Sequence, residues 1–419
     1  MKIREFPYPF RAALAVCSDI DNCDLDTFIA IHQFINSEKY GLGLPVADSF
    51  FGVAKDQAHM AYFNPDGSSR PREAEFIRQA IQDGLIDSLH SWGDFNDAPP
   101  NPLFLQTIAR QLTEELTKVG LEVPIWINHG SPNNHQNLIA RLWPQYQGDD
   151  PHSPLYTAKF AKKIGIKYHW WSEIVQWPLS SARQRISGKE LQRITLNHFK
   201  NMVKILLGKS TRIKTSDTVT DLMKTITLRD GSPLIAFTRF AQHPNRADLW
   251  GAGPNSLRHS LAKKILDELI QQQGYIIIYT HLAKAVIQDQ GKIFFPSEEE
   301  EVLNCLADYY KKKLIWVTPT AKLLQYKNVH DFLEWQVVRE KKKIIIKING
   351  LKDPVEGKRI PSVDELAGIC FYTPIARDTY IQLRDQKVAT ELFGLESTGS
   401  GWIGFPPPLP PKTELIDYS

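Results

Sequence analysis

Cysteine is scarce in this chain. Four stand among 419 residues (Cys17, Cys23, Cys305 and Cys370), and no two form a Cys-x-x-Cys pair. That excludes a zinc knuckle, a dithiol redox motif and a disulfide scaffold, and it points to a reducing compartment. Long apolar runs are missing as well. The first apolar stretch runs into Ser18-Asp19, too short for a bilayer span and without a small-residue cleavage site. The expectation is a cytoplasmic protein with no membrane span. Neither sign of charge is in excess: 50 Lys and Arg face 47 Asp and Glu, for a net charge of +3. Nucleic acid therefore has no electrostatic case as a partner. No glycine-rich nucleotide loop follows the first apolar run, which argues against a dinucleotide site.

What is present is a rhythm. Four times an amphipathic helical stretch ends at a glycine and an apolar run of strand length follows. The glycines are Gly84, Gly120, Gly165 and Gly274. Glycine closes a helix in the left-handed conformation without a Cβ clash. In the fourth unit Leu257, Leu261, Ile265, Leu266 and Ile270 recur at helical spacing. Further strands are expected at 12–18, 45–53, 233–239 and 314–317, and a helix at 25–37. Helix and strand in alternation imply right-handed crossovers and a parallel sheet. The expected fold is α/β: a distorted seven- or eight-stranded parallel β/α barrel over residues 1–338. A basic segment around 180–230 reads as an insertion. From residue 339 the texture changes to short β-rich runs, which predict a small β module with a proline-rich tail through 419. An open doubly wound sheet is the alternative. The barrel is preferred because polar residues collect at so many strand ends.

Parallel β/α folds carry their chemistry at strand C-termini. Those positions hold Asp19 and Asp21 after the first strand, His90, Trp92 and Asp94 after the third, and Asn128 and His129 after the fourth. Trp170 and Trp171 follow in the fifth, Arg239 in the sixth and His281 after the seventh. Two carboxylates and several histidines at one mouth suit a divalent metal, with zinc the expected ion. Such an ion activates water and polarises a carbonyl. A free carboxylate can then act as base and a histidine as acid. Arg239 either orients the base or is a structural ion-pair partner. Trp92, Asn128 and one of Trp170 and Trp171 would contact substrate, an aromatic ring there stacking on a sugar. The plainer alternatives are helix capping for the aspartates and core packing for the tryptophans.

The order of these motifs across roughly residues 10 to 290 resembles the polysaccharide deacetylases of the NodB-homology family. Asp19-Ile20-Asp21 is similar to that family's early Asp-Asp motif, His90 to its first metal histidine, and Ile278-Tyr279-Thr280-His281 to its late Leu-x-x-His motif. The resemblance implies that Asp19 is the base, Asp21 and His90 bind metal, and His281 is the general acid. It implies hydrolysis of an acyl group, N-acetyl by analogy, from a carbohydrate substrate. The family's second metal histidine is replaced by Asp94, so either Asp94 or His129 completes the metal set. A glycosidase using Asp19 and Asp94 is the first competing function, since related barrels work with two carboxylates. A carbohydrate-binding protein that lost its metal is the second.

Overall fold

The structure, a computed structural model, describes residues 1–139, 144–175, 179–180, 221–242 and 257–418. Most of the expected 180–230 insertion lies outside the described residues.

Eight of the eleven described strands of the main sheet run side by side through it: β1 (Ala12–Ser18), β2 (Asp48–Val53), β3 (Ile86–Leu89), β4 (Ile125–Ile127), β5 (Tyr168–Val175), β6 (Pro233–Phe240), β7 (Gly274–Thr280) and β8 (Ile315–Val317). Every residue of β1 and β7 is buried. A strand covered on both faces is the signature of a parallel sheet under helices, and it explains why these runs are apolar throughout instead of alternating. The order is β8-β1-β7-β6-β5-β4-β3-β2, with every pairing among these eight parallel; Ala61–Phe63 extends the β2 edge, and Leu179–Ser180 and Met223–Thr227 add antiparallel pairings to β7 and β6. The sheet curls into a half-barrel flanked by helices α1 (Leu25–Asn36), α2 (Pro71–Asp83), α3 (Pro102–Lys118), α4 (Ala158–Lys163), α5 (Lys263–Gln272), α6 (Ser297–Lys311) and α7 (Thr320–Phe332). The curl brings the two sides together at the top. Cys17 forms a parallel bridge to Ala47, and Ser49 Oγ donates to the carbonyl of Ser18 at 2.9 Å. Lower down, the same edge of β1 is occupied by β8, where Ile315 pairs with Ala12.

The helix–glycine–strand units stand with one correction. Gly84 (φ 81°) and Gly165 (φ 88°) take the left-handed conformation after α2 and α4. In the fourth unit that role falls to Gln273 (φ 50°), and Gly274 is the first residue of β7. The helix there is also divided into Leu257–Ser260 and α5, so the apolar repeat from Leu257 to Ile270 spans two elements.

The β-rich C-terminal region exists, and its sheets begin earlier than residue 339. Strand Leu333–Glu340 pairs with Lys343–Asp353, which pairs in turn with Thr379–Leu383. A second sheet joins Cys370–Thr373 to Gly401–Gly404 and to the N-terminal strand Lys2–Ile3. The first residues of the chain thus belong with the last sheet. Trp335 meets Phe371 edge-on between the two sheets, at 4.9 Å. Past the prolines, the short helix Glu414–Asp417 returns to the half-barrel, where Ile416 is buried and its carbonyl accepts Gln33 Nε2 at 3.2 Å. No described helix is long and apolar enough to cross a membrane.

Asp353 fastens this region to the half-barrel. Its buried carboxylate accepts from Lys167, which precedes β5, from Asn328 Nδ2 on α7 at 2.8 Å, and from the backbone N–H of Val355 and Glu356. Removing one partner of a buried pair strands the other. Asp353→Ala is expected to lower unfolding stability by about 3 kcal/mol in urea titrations, the size typical of broken buried ion pairs. A change below ~0.5 kcal/mol, normal for a surface site, would show that this junction is not held here.

Candidate metal centre

The ends of β1 and β7 are tied across each other. The N–H of Asp19 donates to Thr280 O at 2.9 Å, and the N–H of Leu282 donates to Ser18 Oγ at 3.1 Å. That tie sets Asp19 and Asp21 beside His281. The end of β3 is placed by β2, where His90 N–H donates to Phe50 O at 2.8 Å. His129 follows β4 at the same end of the sheet. Phe51 is a buried wall behind both rings, 4.8 Å from His90 and 5.2 Å from His129 between centroids.

Three side chains converge. His90 Nε2 lies 3.3 Å from Asp21 Oδ2 and 2.9 Å from His129 Nδ1, and His129 Nδ1 lies 3.7 Å from Asp21 Oδ1. Ligands held ~2.0–2.1 Å from one ion at tetrahedral angles stand about 3.3–3.4 Å apart, and the three separations bracket that value. Asp21, His90 and His129 therefore fit a divalent ion. The donor chemistry agrees. Burial raises the Asp21 carboxyl, but His129, His281 and His90 outweigh it and hold it well below the usual carboxylate range. Burial pushes His129 down to about 4, leaving at neutral pH the uncharged ring that ligates metals.

Asp94 is not in this set: of the two residues expected to complete it, Asp94 and His129, the geometry brings in His129. Asp94 Oδ1 accepts the N–H of Asn96 at 3.2 Å and stands 3.6 Å from the far nitrogen of His129, Nε2. The cause is the path of the chain. Gly93 bridges to Val53, and Asp94 N–H donates to Val53 O at 3.1 Å, so the loop runs along β2 and aims Asp94 behind His129. A Cβ at Gly93 would lie 2.5 Å from Val53 Cγ1, so glycine permits the approach. His129, which follows the next strand, stands with Asp21 and His90 instead.

Asp19, Asp21 and His281 form a second group with ligand spacing. His281 Nε2 is 3.4 Å from Asp21 Oδ2 and 3.9 Å from Asp19 Oδ2. Arg239 makes this group a poor cation site. It grips Asp19 with two nitrogens, Nη1 to Oδ1 at 2.5 Å and Nη2 to Oδ2 at 3.1 Å. The guanidinium is fully buried, 3.5 Å from the ring centre of Trp170 and 3.9 Å from that of Tyr279. A fixed cation on Asp19 repels a second one. Burial raises the Asp19 carboxyl, while Arg239, then His90 and His281, more than offset it, so the net shift is downward. Asp19 is thus an ionised carboxylate beside the Asp21–His90–His129 group.

Three of the residues expected to contact substrate, Trp92, Asn128 and Trp170, are buried among other side chains. Trp92 is fully buried and edge-on to Trp126 at 5.4 Å. Trp170 lies under Arg239. Asn128 Oδ1 accepts Trp126 Nε1 at 2.8 Å and Leu138 N–H at 3.1 Å, and its Nδ2 donates to Leu138 O. Trp170 lies within a strand covered on both faces, and Trp92 and Asn128, just past strand ends, are enclosed by the loops that follow. The side chain of Trp171 lies outside the described residues. Sequence reasoning missed Phe51 and the amides of Asn96, Asn134 and Gln136, which buttress the His129 side. The density of amides in Asn133-Asn134-His135-Gln136-Asn137 was the available signal.

Two outcomes follow. Purified protein is expected to bind about one zinc ion per chain, and Asp21→Ala or His90→Ala to bind almost none under the same dialysis, by elemental analysis. Equal metal content in the variants would refute the site. For Arg239, the sign follows from the lowered Asp19 value: the pair stabilises the fold above the ordinary carboxylate range and loses that contribution as pH falls through the folded value. Arg239→Met leaves Asp19 buried and unpaired, with its carboxyl raised. The variant is expected to be less stable by about 3 kcal/mol at pH 7. The deficit should shrink as pH falls and Asp19 protonates, measured by urea unfolding across pH. A deficit independent of pH would show that the ion pair is not its source.

No protein-family model, curated protein or solved structure matches this chain, so the assignment of this site rests on its geometry.

Proposed function

We propose that this chain is a metal-dependent hydrolase that removes an acyl group, N-acetyl by the motif resemblance, from a carbohydrate. In this reading the curled sheet is a seven-stranded NodB-like barrel, with β1 to β7 as its staves and β8 outside the ring. The Cys17–Ala47 bridge supports that closure. The observation that carries the function is the different fate of two neighbouring carboxylates. Asp21 turns into the His90–His129 pair, and Asp19 is held by Arg239. Hydrolysis at an ion can use one carboxylate as a ligand and a second, not bound to the ion, as the base.

A divalent ion on Asp21, His90 and His129 would lower the pKa of a coordinated water and polarise the substrate carbonyl. Asp19 takes the proton from the attacking water, and Arg239 keeps its carboxylate ionised and aimed. His281 faces the two carboxylates through Nε2 and delivers a proton to the leaving nitrogen, without which an amine leaves poorly. Arg239 is a positioning residue here, since it acts through Asp19. The glycosidase alternative is less well supported. Its second carboxylate would be Asp94, which is turned onto a loop N–H and the back of His129.

The test is acetate release from N-acetylated oligosaccharides with zinc supplied. Asp19→Asn is expected to abolish turnover while retaining metal. His281→Ala is expected to lower kcat by ~10²–10⁴, the usual worth of a positioned acid, with metal content unchanged. Turnover that survives in Asp19→Asn, or that persists in chelator, would overturn this function. Metal loss in His281→Ala would make His281 a ligand instead of the acid.

A further inference from the structure

A chain of amides fixes which nitrogen of His129 carries its proton. Its far end is anchored on the backbone. Asn134 Oδ1 accepts the N–H of Phe95 at 3.0 Å. A backbone N–H only donates, so the oxygen of Asn134 must face it. Gln136 Nε2 donates to the same oxygen at 3.0 Å, and its own direction is set by a second donation, to Gly93 O at 3.0 Å. Asn134 Nδ2 then points the other way and donates to Asn96 Oδ1 at 3.0 Å. That leaves Asn96 Nδ2 facing His129 Nε2 at 2.7 Å. An amide nitrogen cannot accept, so Nε2 must offer a lone pair and the neutral ring must hold its hydrogen on Nδ1. Nδ1 points at His90 Nε2, 2.9 Å away, with Asp21 Oδ1 at 3.7 Å beyond it.

This is the wrong tautomer for the metal centre, because the Nδ1 lone pair of His129 must face the ion. We propose that Asn96 and Asp94 form a two-position switch behind His129 that sets the affinity of the centre. Asn96 holds the metal-free tautomer. When a metal takes Nδ1, the ring proton there is released and one is taken up at Nε2, so the ring stays neutral. Nε2–H would then face the Asn96 amide, donor against donor. Two acceptors can relieve this. Asp94 Oδ1 already stands 3.6 Å from Nε2. Asn96 lies at the surface, where its amide can turn over and water can satisfy the groups it leaves. The acidic residue behind His129 thus has a defined task. It is the acceptor that makes His129 a ligand, in the carboxylate–histidine–metal arrangement that outer partners commonly supply. Asn96 opposes it and is the positioning residue that keeps the affinity down.

The inference rests on the metal reading of Asp21, His90 and His129, and the first arm of its test does not. In metal-free protein labelled with 15N-histidine, two-bond proton–nitrogen spectra are expected to show His129 as the Nδ1–H tautomer. The Nε2–H tautomer would overturn the proposal. The second arm measures zinc affinity by competition with a chromophoric chelator. Asn96→Ala removes the donor without adding charge and is expected to bind zinc about tenfold more tightly; Asp94→Ala is expected to bind it ~10–100-fold more weakly, the range for outer partners of metal histidines. Unchanged or weaker binding in Asn96→Ala would also overturn the proposal. If neither variant nor parent binds zinc, the metal reading fails and the switch with it, whereas the tautomer in the first arm still reports whether the amide chain controls His129.

Discussion

The buried ion pair between Arg239 and Asp19 is the constraint on which the site depends. A guanidinium with no exposure to solvent is costly, and it is tolerated only with excellent geometry around it. Asp19 answers both donors of the fork, and the rings of Trp170 and Tyr279, themselves 5.2 Å apart, both pack against it at cation–π distance. These contributions come from four elements: β5, β6, β7 and the turn after β1. The pair therefore draws the strand ends together, and it explains why Trp170 belongs to the arginine and not to a ligand.

With Asp19 occupied, the rest of the centre is left to Asp21. Its carboxylate has His90 and His129 on one side and His281 on the other. The two histidines of the metal group are backed differently. Phe51 packs against both rings, while His129 alone is met from behind by a polar network reaching through Asn96 and Asn134 to backbone groups. A carboxylate and an amide compete for one nitrogen there, and that competition is where the chain can tune the centre without changing a ligand.

Much of this was legible in the residues. The strands at 12–18 and 233–239 fall within a residue of the observed elements, because a run buried on both faces leaves an unbroken apolar signal. Asp19, Asp21, His90, His129, Arg239 and His281 could be selected because strand ends of parallel folds share one mouth. The tryptophans could not be judged in this way. An aromatic at a strand end looks the same whether it faces a ligand or a neighbouring core, and Trp92 and Trp170 face the core.

The sequence by itself determined the alternation of helix and strand, the parallel sheet and the chemical inventory of the mouth, since periodicity and glycine placement are local properties. The tertiary structure decided the division of labour. Asp94 follows His90 at the spacing of a second ligand, yet the pairing of Gly93 with Val53 turns it behind His129. Asp19 and Asp21 are chemically alike, and only the arrival of Arg239 from β6 separates them. Directions of side chains depend on contacts between residues far apart in the chain, and no short pattern of residue types encodes them.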